Sequence, residues 1–289
     1  MYRIEVFTMP YSLRSREEKI AAARSMNLFS NLFMSVALED RAACEHVLRI
    51  LTGIDTLTVI DQKTQYRVSN VISRDVVFDV LAQDGNGKLY NIEIQRADTI
   101  NHPRRVALYA AELVTEFMRK GSPVDDTPEV YIFYLSETDL LHTKQCIDWV
   151  GKKLLRSGLD YEDGIHIAFA NAEVDDASDV AKLMQYFKRA DPDDPSQGAL
   201  SRRVFLMKRE KEGEEIMCQI SDKIFSEGKR EGKMEGRLEG KIESIINLAS
   251  KMSISDDTAM ELIGVKESDR PLYASYVKAM RAARAVTNP

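Results

Sequence analysis

Asp79, Glu93 and Gln95 are the residues of this chain whose types and spacing suggest chemistry. They lie in VVFDVLAQDGNGKLYNIEIQ, residues 76–95: an apolar run broken by one carboxylate, then a turn, then a segment in which Tyr90, Ile92 and Ile94 alternate with Asn91, Glu93 and Gln95. Val76 to Ala82 reads as a strand buried on both faces, where an unpaired Asp is rare. Asp84-Gly85 and Asn86-Gly87 are strong turn signals, so the two runs read as an antiparallel hairpin that sets Asp79 beside Glu93. Two carboxylates side by side in an apolar setting repel, and a divalent cation is the usual way to keep both ionised. A plainer alternative stays open, because a Glu and a Gln on a strand's polar face ordinarily meet water and a single Asp can mark a strand end. Against it, Asp79 lies inside its run, and Asp75 just before it adds another acid.

The elements that must position these residues follow from periodicity. From Met26 to Thr52, Leu28, Leu32 and Val36 and then Ala43, Val47, Ile50 and Leu51 fall at helical spacing. This predicts two helices, or one broken near Leu38 to Arg41, ending at Gly53 as a C-cap. Leu57 to Ile60 and Gln65 to Val71 are candidate strands ahead of the hairpin. After a polar link, Pro103 suits a first helical turn. The helix it opens carries Val106, Ala110, Leu113 and Phe117 on one stripe and Arg105, Tyr109, Glu112 and Glu116 on another. Val130 to Leu135, VYIFYL, reads as a buried strand, so strand, helix and strand form a parallel crossover and the core is α/β with a mixed sheet. Cys146 to Leu155 is strand or helix, Ile165 to Ala170 a short strand, and Ser178 to Arg189 a capped amphipathic helix. DPDDP at 191–195 breaks the pattern.

Arg202 to Phe225 is helical in pattern and leads into EGKREGKMEGRLEGK, with Gly228, Gly232, Gly236 and Gly240 at every fourth position. Each glycine costs about 1 kcal/mol in a helix interior, so the repeat reads either as a charged linker or as a helix with a small-residue stripe. Ile242 to Met252, Asp256 to Ile263 and Leu272 to Ala285 are short apolar-periodic segments, more readily a packing module than a helix-turn-helix DNA reader. Residues up to about 24 show no clear period.

The chain is 44% hydrophobic and 30% charged, with formal net charge −6, which excludes bulk coating of nucleic acid but not a local basic site. Arg96, Arg104, Arg105, Arg119 and Lys120 cluster just after the hairpin. No apolar run approaches a membrane span and no secretory leader is evident, so a cytoplasmic setting without membrane contact is expected. Cys44, Cys146 and Cys218 form neither a disulfide framework nor a zinc spacing. His46, His102, His142 and His166 show no zinc or triad spacing and read as surface or core residues.

The segment FDVLAQDGNGKLYNIEIQ, followed by PRRVALYAAEL, resembles the recombination-promoting nuclease or putative transposase family within the PD-(D/E)XK superfamily. LFMSVALEDRAACEHVLRILTG upstream and YIFYL downstream extend the likeness to roughly residues 27–140. The resemblance implies a restriction-endonuclease-like α/β core, a mixed central sheet flanked by helices, and a C-terminal helical tail. With the breaks at DPDDP and the glycine repeat, the chain is expected to divide into an extension (1–24), a nuclease-like domain (25–190), a helical connector (191–226), the repeat (227–241) and a C-terminal helical segment (242–289). The resemblance also implies a metal-dependent DNA endonuclease, with Asp79 and Glu93 as metal-binding acids, the Ile94 carbonyl as a further ligand and Gln95 at the superfamily's lysine position. Mg²⁺ is the expected cofactor, with Mn²⁺ as a substitute, and DNA is the expected partner. Arg104, Arg105 and Tyr109 are expected to contact DNA phosphate unless they form a solvated helix face. A homodimer or higher oligomer is expected for double-strand cleavage. Related sequences carry an Asp where this chain has Asn31; Glu39, Asp40 or Glu45 are the candidates to replace it. That departure keeps a second expectation open, a catalytically weakened DNA-binding or oligomerising module.

Overall fold

The structure is a computed structural model that describes residues 15–68, 76–95, 101–118 and 120–287. The chain divides into two units, Met1–Asp222 and Lys223–Pro289. In the first, helices α1 (Arg16–Arg24), α2 (Asn31–Ala37) and α3 (Arg41–Thr52) precede strands β1 (Val59–Val68), β2 (Val76–Asp84) and β3 (Leu89–Gln95). Then come α4 (His102–Phe117), β4 (Val130–Ser136), β5 (Ile147–Trp149), β6 (Ile165–Asn171), α5 (Asp179–Arg189) and α6 (Gly198–Arg209).

Local signals set the boundaries. Asp40 caps α3 by accepting from the Ala43 N–H, and Gly53 ends it at φ +70°, a left-handed conformation that costs glycine little. The predicted break at Leu38 to Arg41 is therefore real. Ser15 and Glu18 form a capping box on α1, which periodicity alone did not reveal. One strand, β1, spans the region where two were expected; residues 69–71 of the second lie outside the described residues, as does Asp75.

The sheet has the order β1-β2-β3-β4-β6-β5. β1, β2 and β3 pair antiparallel, β3, β4 and β6 parallel, and β5 antiparallel to β6. The mixed sheet and the parallel β3–α4–β4 crossover agree with the sequence reading. Val106, Tyr109, Ala110 and Leu113 of α4 pack with Leu81, Leu89, Val130, Ile132 and Tyr134 of the sheet. Helices α2, α3, α5 and α6 pack against one another and against β1, β2 and β6.

Every residue of β3 is buried. Its polar side, expected to meet water under the plainer reading, is instead covered. Leu89 of that side lies in the α4 cluster, and β3 registers Asn91 and Glu93 beside Ile132 and Tyr134 of β4, which also belong to it. Burying a carboxylate and two carboxamides in this way is costly unless they are satisfied or used.

Helix α7 (Lys211–Met252) carries the glycine repeat. The repeat is helical because both flanks are anchored, by Met217 and Ile220 on one side and Ile242 and Ile245 on the other. Extending an existing helix avoids the nucleation cost that would defeat this segment in isolation. In the second unit, Ile242, Ile245 and Ala249 of α7 pack with Ala259 and Met260 of α8 (Asp256–Leu262), Val265, and Val277 of α9 (Arg270–Thr287). The C-terminal segments thus form a helical packing cluster.

Candidate active site

The hairpin of β2 and β3 is regular from Gln83↔Leu89 to Val80↔Ile92, and the pairing stops there. Beyond it, side chains take over the backbone donors. The Asp79 N–H donates to Glu93 Oε1 at 3.1 Å, and the Ile94 N–H donates to Asp79 Oδ2 at 3.0 Å. This exchange brings the two carboxylates together where the strands part. Asp79 is 5% exposed and Glu93 2%.

From the β1 side, Gln65 Nε2 donates to Asp79 Oδ1 at 3.2 Å and to Ser35 Oγ of α2 at 2.9 Å. The Ser35 hydroxyl donates in turn to the Asp79 carbonyl at 3.3 Å. Gln65 sits at φ +50°, the left-handed region that non-glycine residues rarely occupy.

Helix α4 supplies the other wall. Asn101 caps it by accepting from the Arg104 N–H, and Pro103 lies in its first turn. His102, Arg105 and Tyr109 fall on one face by helical spacing. Arg105 Nε donates to the Tyr109 hydroxyl at 2.7 Å, and its NH1 donates to Gln95 Oε1 at 3.3 Å. The Tyr134 hydroxyl of β4 also donates to Gln95 Oε1, at 3.0 Å, and lies 3.1 Å from His102 Nδ1. Arginine has donors only, so the carboxamide oxygen of Gln95 must face Arg105, leaving the amide nitrogen as its donor.

Burial first of all pushes the carboxyls of Asp79 and Glu93 above the usual range, and for Glu93 the Asp79 charge pushes further. The Arg105 guanidinium works the other way on both. Burial, followed by the Glu93 charge, also holds the Tyr109 phenol above its ordinary value, so it stays a neutral hydroxyl. Asn91 is fully buried, and its carboxamide favours the charged form of Glu93. Yet neither of its amide atoms has a partner of hydrogen-bond geometry among the described residues.

Of the residues expected from sequence, Asp79, Glu93, Gln95, Arg105 and Tyr109 come together, with the Ile94 backbone bonded to Asp79. Arg104 is exposed and outside this network; Arg96 and Arg119 lie outside the described residues. Asn31 is exposed on the first turn of α2. The three candidate replacement acids are engaged elsewhere: Glu39 accepts from Thr64, Asp40 caps α3, and Glu45 accepts from the Val59 N–H and Arg49. None supplies a third carboxylate to the pair. Sequence reasoning missed Ser35, Gln65, Asn91, His102 and Tyr134. The alternation of Asn91 with Glu93 and Gln95 was a usable signal, whereas the others reach the site from separate elements.

A divalent cation fits the chemistry of this donor set. Two like charges are buried side by side, and the nearby donors are oxygens and amides. Among the described residues no group of three or more His, Cys, Asp or Glu side chains comes together. That arrangement suits a magnesium ion that keeps waters and substrate oxygens, rather than an all-protein cage.

A family model described as PD-(D/E)XK nuclease family transposase matches residues 45–211, a span that contains both carboxylates, Gln95, Arg105 and Tyr109. No curated protein and no solved structure matches the chain.

Proposed function

The chain belongs to the PD-(D/E)XK nuclease family transposases, and from that premise we propose that it is a metal-dependent endonuclease hydrolysing DNA phosphodiester bonds. The observation that carries this reading is the buried Asp79–Glu93 pair, joined by reciprocal backbone bonds at the point where β2 and β3 separate. Asp79 and Glu93 hold Mg²⁺, for which Mn²⁺ can substitute, and the Ile94 carbonyl is the further protein ligand. The chemistry supplied by such an ion is polarisation of the scissile phosphate and a lowered pKa for the attacking water.

The remaining roles belong to the chain itself. Gln95 stands where the superfamily has lysine, and its amide nitrogen orients water or a phosphate oxygen. It brings no charge, and the nearest cation bonded to it is Arg105. Arg105 then provides the fixed positive charge beside the phosphate, held by Gln95 on one side and Tyr109 on the other. Arg104, exposed on the first turn of the same helix, contacts DNA further out. A second copy of the chain provides the second site that double-strand cleavage needs.

Incubating supercoiled plasmid with the protein and Mg²⁺ tests the reading. Nicking or linearisation is expected and stops when a chelator removes the ion. A second reading, a DNA-binding module without catalysis, draws on the exposed Asn31 and on the absence of a third acid at the pair among the described residues. Retained DNA binding with neither cleavage nor metal uptake would favour it.

A further inference from the structure

Six non-glycine residues among those described have positive φ: Gln65, His142, Lys144, Ala177, Ala190 and Ser253. The other five lie in loops, turns or helix ends, whereas Gln65 lies inside a strand. The register of β1 with β2 runs through Thr64↔Val80 and Tyr66↔Phe78 and skips the intervening pair, Gln65 and Asp79. Strain of this kind persists only where surrounding contacts hold it, and here those contacts converge on one carboxylate.

The Gln65 amide uses its two donors on Asp79 Oδ1 and Ser35 Oγ. An ionised carboxylate only accepts, so the NH₂ end must face Asp79. The Ser35 hydroxyl in turn donates a hydrogen bond to the Asp79 carbonyl. With the Ile94 N–H on Oδ2, each Asp79 oxygen has one fixed donor and a remaining lone pair. The carboxylate can then neither rotate about its own axis nor swing toward β1.

We propose that Gln65 is a positioning residue that aims the Asp79 carboxylate for metal binding, with Ser35 as its anchor on α2. This rests on the reading of Asp79 and Glu93 as metal ligands. Partners that orient a metal's ligands are typically worth about 10–100-fold in affinity. Because Gln65 is exposed, its replacement leaves the core intact.

The test is calorimetric titration of the full chain with MnCl₂, comparing wild type, Gln65→Met, Gln65→Gly and Asp79→Asn, with melting of the metal-free proteins as a control. Gln65→Met keeps the side-chain length and removes the donors; Gln65→Gly also removes the strain. Both are expected to weaken Mn²⁺ binding by about tenfold or more while melting cooperatively, and Asp79→Asn is expected to abolish it. Unchanged or tighter binding in both Gln65 variants, with Asp79→Asn still inactive in binding, overturns the positioning role and leaves the metal site standing. Failure of the wild type to bind Mn²⁺, or indifference to Asp79→Asn, overturns the metal site and the positioning role together.

Discussion

Glu93→Gln is expected to abolish DNA cleavage while making the metal-free protein more stable. The loss follows from removing a metal ligand, and should be at least about a thousandfold, the upper end for a single preorganised donor at an active site. The gain follows from burial. Glu93 is 2% exposed beside a second carboxylate, so its charged form is costly in the fold without a cation, and Gln keeps an oxygen for the Asp79 N–H. A stabilisation of about 1 kcal/mol would raise the melting temperature by about 2–4 °C in a unit of this size.

The pH dependence has a fixed sign. Both carboxyls are raised by burial, so the folded state holds protons that the unfolded state has released. Their contribution to stability is full below the ordinary carboxylate pKa values and is lost as pH rises through the folded ones. Glu93→Gln should flatten that decline. Saturating Mg²⁺ should stabilise the wild type and leave the variant unmoved. Thermal melts across pH, with and without Mg²⁺, check all three expectations, and a variant less stable than wild type at neutral pH without metal would count against them.

Arg105→Ala is expected to lower the cleavage rate at saturating DNA by about 10²–10³-fold, the cost of losing a fixed charge at developing negative charge. Mn²⁺ affinity should be unchanged or tighter, because the guanidinium and the ion compete for the same two carboxylates. Arg105→Lys restores charge but cannot bridge Gln95 and Tyr109 at once, so its rate should fall between the two. Single-turnover kinetics separate this from a binding role. Were Arg105 only a phosphate contact, Arg105→Ala would raise the DNA concentration needed and leave the saturated rate alone.

Much of the site was legible because its central pair is local in sequence. A broken apolar run, a Gly-rich turn and an alternating segment were enough to place Asp79 beside Glu93, and the crossover pattern placed α4 after them. The environment was not legible. Whether the Glu93 side of β3 meets water depends on what α4 does, and the apolar stripe read on α4 was narrower than the face it buries, which includes Tyr109 and Glu112. His102 of α4 and Tyr134 of β4 meet only where the helix packs on the sheet, which no spacing announces. Gln65 was hidden by a backbone conformation that propensity disfavours and strand alternation does not announce. In sequence the glycine repeat leaves two outcomes open, because isolated-helix energetics omit the anchored flanks that carry the helix through it.

The most direct measurement is diffraction from crystals soaked in Mn²⁺, collected for manganese anomalous scattering. A peak at coordination distance, about 2.0–2.2 Å, from oxygens of both Asp79 and Glu93 is expected, and it should vanish in Glu93→Gln. Saturating Mn²⁺ with no peak between the two carboxylates, in crystals of protein that cleaves DNA, would contradict the account.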